Sequence, residues 1–280
     1  MTGANGRLPP ETSVGRVALT VNDGTDVAEF YEAVVGLTVH ERGGDRTVLG
    51  DGETPLLVLV EDSTASARPR PAAGLFHTAF RVPSRAALGA ALERVEDVQG
   101  LDGAADHRVS EALYLRDPEG NGVEIYRDRP ATDWTETADG EVRMTTEPLD
   151  IDGVRAAAAG GRTAPVGTDV GHVHLEVTDL SAARAFYADA LGLCVRTTAD
   201  GALFLAAGDY HHHVGTNVWN GRTDPASGRG LAWFELVVSA SGLDAATERL
   251  TDAGYAVEST SEGATVTDPD GLGLRLRLRS

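Results

Sequence analysis

The sequence predicts an α+β fold of four βαβββ modules in two halves. Three observations carry this reading. Short alternating apolar runs of strand length recur, each set interrupted by one run of helical spacing. The run Val173-His174-Leu175-Glu176-Val177-Thr178-Asp179 falls 156 residues after Val17-Ala18-Leu19-Thr20-Val21-Asn22-Asp23, and Phe186-Tyr187 and Gly192 keep the same spacing from Phe30-Tyr31 and Gly36. The turn Asp268-Pro269-Asp270-Gly271 falls 151 residues after Asp117-Pro118-Glu119-Gly120. Spacings that persist this well mark internal duplication.

In chain order, residues 1–13 read as a loose tail. Val17–Val21 alternates as a strand, Asn22-Asp23 can cap the helical run Val27–Val35, and Gly36 ends it. Strand-like runs near Thr47 and over Pro55–Val60 complete module one. Module two begins after the Pro/Ala loop Arg68–Gly74, with Phe76–Val82 as a strand and Ser84 capping a helix that reaches about Val95. It closes with Asp106–Tyr126, in which Pro118 and the glycines of Asp117–Gly122 make a turn before the strand Val123–Tyr126. The two halves are 14–127 and 169–280. Between them, 128–168 is a connector with a short helix around Ile151–Ala159, long enough to carry the chain across a molecule.

Composition excludes several functions. All 24 basic residues are arginine, set against 43 acidic ones, for a formal charge of −19. Such a chain repels nucleic acid and anionic membranes. Its dense carboxylate surface and lack of lysine suit high salt. No apolar run is long enough to span a bilayer, and MTGANGRLPPETS lacks a signal-peptide pattern. The single cysteine, Cys194, excludes an intrachain disulfide and a cysteine-based zinc site. A reducing cytoplasm fits, and a homo-oligomer is compatible with the composition.

Equivalent positions of the repeat point to a metal. On the first strand of modules one to four they are Arg16, His77, His172 and Trp233; on the last strand they are Leu57, Glu124, His213 and Arg275. Metal-capable residues fall only in modules two and three. A single strand histidine is commonly structural, and Glu124 alone could pair with an arginine. Two histidines from among His77, His172 and His213, with Glu124 on a neighbouring strand, make a two-histidine, one-carboxylate facial set, which suits octahedral Fe(II) or Mn(II) with three positions open. His174 shares a face with His172 and is an alternative ligand. Of the run Tyr210-His211-His212-His213, at least His213 is expected to face inward; entry of His211 or His212 is left open. His40 reads as a surface residue.

The segments DHRVSEALYLRDPEGNGVEIYRDRP, GHVHLEVTDL and YHHHVGTNVW resemble the vicinal oxygen chelate superfamily, and within it type I extradiol dioxygenases of the catechol 2,3-dioxygenase kind. The resemblance implies two incomplete β-barrels, a cytoplasmic enzyme of aromatic catabolism, and ring opening of a small aromatic diol by O2 at one Fe(II), with Mn(II) as the other candidate. It implies His77, His172 and Glu124 as metal ligands, His213 as the acid–base histidine, and His107 and Tyr114 as groups that hydrogen-bond the catecholic oxygen; it implies no further cofactor. Plain strand alternation puts His107 and Tyr114 on opposite faces, so both reach the site only if the strand breaks within Val109–Ala112. Modules two and three must then share one barrel. A glyoxalase-type metal isomerase and a metal-free aromatic-drug-binding protein of the same fold remain as alternatives.

Overall fold

The computed structural model describes residues 7–279. The first six positions of the expected tail lie outside the described residues. The remainder is not loose: Leu8 is buried, its N–H donates to Gly192 O at 2.8 Å, and Arg7 Nη1 donates to the carbonyls of Ala188 and Leu193 at 3.0 and 2.7 Å. One apolar residue with a nearby arginine is enough to dock a short arm, and neither has a periodicity to read.

Two compact units emerge. One holds the N-terminal arm through Val17, Ser66–Phe76 and the chain from His172 onward; the other holds Ala18–Ala65 and His77–Gly171. Module one opens with β1 (Ser13–Val21), which leads into α1 (Gly24–Phe30), whose first turn is capped by Asp23 accepting from Thr25 N and Asp26 N at 3.0 Å each. A π-helical turn, Tyr31–Val35, follows and ends at Gly36 with φ 85°. Glycine is required there twice over, since a Cβ would also come 2.6 Å from Ala164 N. Strands β2 (Thr38–Gly43), β3 (Arg46–Gly50) and β4 (Pro55–Glu61) form an antiparallel meander.

Module two has β5 (Gly74–Arg81), α2 (Arg85–Val98), β6 (Gly103–Asp106), β7 (Ser110–Arg116) and β8 (Gly122–Asp128). Ser84 caps α2 by accepting from Ala87 N at 3.1 Å. Strand β8 pairs in parallel with β5, Glu124 opposite Ala79, and antiparallel with β7, Glu124 opposite Tyr114. The connector is structured rather than extended. It carries β9 (Glu147–Pro148), which pairs with β6, and α3 (Ile151–Ala156), capped by Asp150.

The other unit repeats the plan. Module three has β10 (Asp169–Glu176), α4 (Leu180–Arg184), a π-helical turn Ala185–Ala190, β11 (Cys194–Ala199), β12 (Ala202–Ala206) and β13 (Val214–Asn217). Module four follows with β14 (Gly230–Val238), α5 (Ala240–Asp252), β15 (Glu258–Thr260), β16 (Gly263–Thr267) and β17 (Gly273–Leu278). The strands form two curled sheets, ordered β15-β16-β17-β14-β1-β4-β3-β2 and β11-β12-β13-β10-β5-β8-β7-β6-β9.

The duplicated Asp-Pro turn and the duplicated Phe-Tyr pair have one physical explanation. Tyr31 Oη donates to buried Asp117 at 3.4 Å, and Tyr187 Oη to buried Asp268 at 2.9 Å. Each aspartate also closes its own turn, Asp117 accepting from the N–H groups of Glu119 and Asn121, Asp268 from those of Asp270 and Leu272. Burial outweighs these bonds and raises Asp268 to a pKa of about 6.

Candidate metal centre

The second unit builds most of the site from β5, β7 and β8. His77 on β5 and Glu124 on β8 are both buried, with His77 Nε2 3.0 Å from Glu124 Oε2. Parallel pairing sets them on adjacent strands, and alternation turns Val123 and Ile125 away into the core. Tyr114 on β7 packs beside them, its ring 5.7 Å from that of His77. Burial first, then the charge of Glu124 and a hydrogen bond to it, hold the Tyr114 phenol well above its ordinary pKa. It is therefore a protonated donor across the physiological range.

His107 Nε2 lies 2.6 Å from Tyr114 Oη, while its Nδ1 lies 2.6 Å from Thr145 O. A carbonyl only accepts, so Nδ1 carries a proton and the tautomer is fixed. The strand does break, but before Val109–Ala112 rather than within it, since β7 runs in unbroken register from Ser110. Strand β6 stops at Asp106, β7 starts at Ser110, and Arg108 between them has φ 67°. His107 is thus freed from alternation and meets Tyr114. Sequence reasoning missed Thr145, a backbone acceptor in the connector that no side-chain pattern reveals.

In the other unit, His172 on β10 is buried, and the ring of His212 lies over it, centroids 4.0 Å apart. His211 Nδ1 lies 2.7 Å from His212 Nδ1. Residues 211–213 precede β13 rather than lying on it, so strand alternation does not decide which of them faces His172. His213 is tied to the backbone: its Nδ1 accepts from Ala207 N at 3.2 Å, and its carbonyl accepts from Val173 N at 3.1 Å. His174 is also buried, and His40 is exposed.

The three expected ligands converge. His77, Glu124 and His172 each offer an atom, all within 4.8 Å of one another, and all three residues are buried. Two imidazoles and one carboxylate at this spacing fit a divalent cation. A second buried carboxylate, Glu111, is built differently: Arg85, Arg127 and Arg129 reach it at 3.0, 2.6 and 3.4 Å. Guanidinium partners mark it as structural.

Residues 13–125 and 169–276 match the Glyoxalase/Bleomycin resistance protein/Dioxygenase superfamily. The chain belongs to this superfamily. A catechol-2,3-dioxygenase of Bacillus subtilis (strain 168) is 39% identical over 269 residues, covering 92% of this chain and 94% of the relative. That likeness marks the chain as a dioxygenase-like enzyme. Among solved structures, glyoxalase I from Zea mays superposes with a TM-score of 0.59 at 15% identity, covering 95% of this chain and 92% of that one. The cppA protein from Streptococcus pneumoniae TIGR4 gives 0.58 at 10% identity, covering 95% and 99%. Both attest the fold. No helix among the described residues is long and apolar enough to cross a membrane.

Proposed function

We propose that this chain is an extradiol ring-cleaving dioxygenase that opens a catechol with O2, using one Fe(II) held by His77, Glu124 and His172. The observation that carries the proposal is the convergence of those three buried donors within 4.8 Å. The cation site joins modules two and three, a reading supported by the neighbouring places of β10 and β5 in the nine-stranded sheet order. The 39% identity to a catechol-2,3-dioxygenase supports the substrate class.

A bound Fe(II) supplies a Lewis acid and a path for electrons between ring and dioxygen, work for which this oxygen–nitrogen donor set is suited. With two neutral imidazoles and one carboxylate, the loaded group carries one net positive charge. A catecholate monoanion cancels it, so the complex tolerates a dry cavity. The Tyr114 hydroxyl gives its one proton to His107 Nε2 across the 2.6 Å contact, which leaves its oxygen to accept from a substrate hydroxyl. A histidine of the 211–213 run takes the second catechol proton and later returns one. His213 is the candidate from motif likeness. His212 is the second reading, favoured by the 4.0 Å approach of its ring to His172. Both atoms of O2 enter the product, and the ring bond beside the diol breaks to give a muconic semialdehyde.

Oxygen uptake with catechol, with and without added Fe(II), tests the proposal. The expected result is one O2 consumed per catechol, with the semialdehyde chromophore appearing in step. Metal binding without oxygen consumption across a panel of catechols overturns it in favour of a glyoxalase-type isomerase. Absence of metal binding after anaerobic reconstitution overturns it in favour of a metal-free binding protein.

A further inference from the structure

The face of β10 that carries His172 also carries a second buried histidine. His172 and His174 alternate with Val173 and so point the same way, about 6.6 Å apart along the strand. His174 is only 3% exposed. Three aromatic rings surround it: Phe76 at 5.2 Å, Trp219 at 5.3 Å and Phe204 at 5.6 Å between centroids. Its space comes from Gly215, directly opposite in register on β13. A Cβ on Gly215 would stand 2.9 Å from His174 Cγ, with two further ring atoms at 3.0 and 3.1 Å. The fold therefore omits a side chain to seat this imidazole. An apolar residue would fill such a niche without the cost of burying a polar ring.

Resting on the proposed function above, we infer that His174 is a specificity residue that reads the ring substituent of the bound catechol. It favours substituents bearing a hydrogen-bonding oxygen over alkyl groups of the same size. A ring held through its two oxygens beside His172 extends along β10, which brings its substituted edge alongside the next inward residue of that face. The aromatic cage fixes the imidazole there and forms the apolar wall of the subsite. Trp219 is 49% exposed and closes the cage toward solvent.

The test compares 4-hydroxymethylcatechol with 4-ethylcatechol, near-isosteres that differ by an oxygen. Metal-loaded wild type and His174→Phe are titrated anaerobically with each, read by tryptophan fluorescence, and kcat/KM is measured for both. Wild type is expected to prefer the hydroxymethyl compound by about tenfold, the worth of one hydrogen bond. His174→Phe is expected to lose that preference, read as the ratio of kcat/KM and of Kd for the two compounds. Gly215→Ala leaves His174 in the chain but displaces its ring, and is expected to erode the same preference. If either properly folded variant keeps the full wild-type preference, or if wild type shows none while turning over catechol, the specificity role is overturned. If wild type binds and turns over no catechol at all, the proposed function falls and takes this inference with it.

Discussion

Glu124 and Glu111 make a controlled comparison, because both are buried carboxylates of module two, each 2% exposed. Glu111 has three arginines within 3.4 Å. Glu124 has an imidazole at 3.0 Å and the Tyr114 phenol. Removing the charge of Glu111 by Glu111→Gln takes the shared anion from three partly exposed guanidiniums, of which Arg85 and Arg129 keep Asp150 and Asp106, and costs about 1–3 kcal/mol. At roughly 2–4 °C per kcal/mol for a chain of this size, that is a fall in Tm on the order of 5 °C. Glu124→Gln acts in the other direction in metal-free protein. If Glu124 serves cation binding as proposed, the substitution removes a desolvated charge and relieves about 1–3 kcal/mol, a rise in Tm of a few degrees. Thermal melts in chelator give both numbers. Repeating them with excess Mn(II) or Fe(II) should stabilise wild type and leave Glu124→Gln unmoved, since only a ligand bound by the native state raises Tm. The reasoning is refuted if Glu124→Gln in chelator loses as much stability as Glu111→Gln, because Glu124 is then a structural ion-pair partner.

Three further outcomes are expected. Asp268 has a folded pKa of about 6 against an ordinary 3.8, so its contribution is fully favourable below the lower value and is lost as pH rises through the higher one; the span corresponds to about 3 kcal/mol. Asp268→Asn keeps the backbone acceptor and removes the titration, so urea denaturation from pH 4 to 7.5 should show the wild-type decline relative to the variant, and parallel curves would contradict it. Tyr114→Phe should lower kcat/KM about tenfold through loss of one hydrogen bond to the substrate, with metal content unchanged; because the phenol titrates well above its ordinary value, wild type should show no alkaline loss of activity from this group below pH 10. His212→Gln and His213→Gln, assayed in parallel for kcat at fixed metal content, should separate proton transfer from loop support: the acid–base residue loses about 10²–10⁴-fold, whereas loss of only the Ala207 N–H contact at His213 should appear as reduced stability.

Much of the fold was legible because duplication reports each element twice. The 151-residue spacing of Asp117 and Asp268 made a turn visible, and the structure adds why aspartate stands there: each accepts from a tyrosine of a π-helical turn. The grouping of His77, His172 and Glu124 was approachable because equivalent positions could be compared and metal-capable residues, these three and His213, fell only in modules two and three. Other parts depended on features with no period. The docking of Arg7 and Leu8, and the Thr145 carbonyl that orients His107, rest on backbone carbonyls, which every residue carries. The facing of His211, His212 and His213 depends on a loop conformation, where alternation no longer relates neighbours.

The most direct measurement is the metal stoichiometry of anaerobically reconstituted protein, taken for wild type and for His77→Ala, Glu124→Ala and His172→Ala. Wild type should retain one Fe(II) per chain through gel filtration. Each variant should lose it while eluting as wild type does. Retention of a full equivalent by His172→Ala, or none by wild type, would contradict a cation shared by the second and third modules.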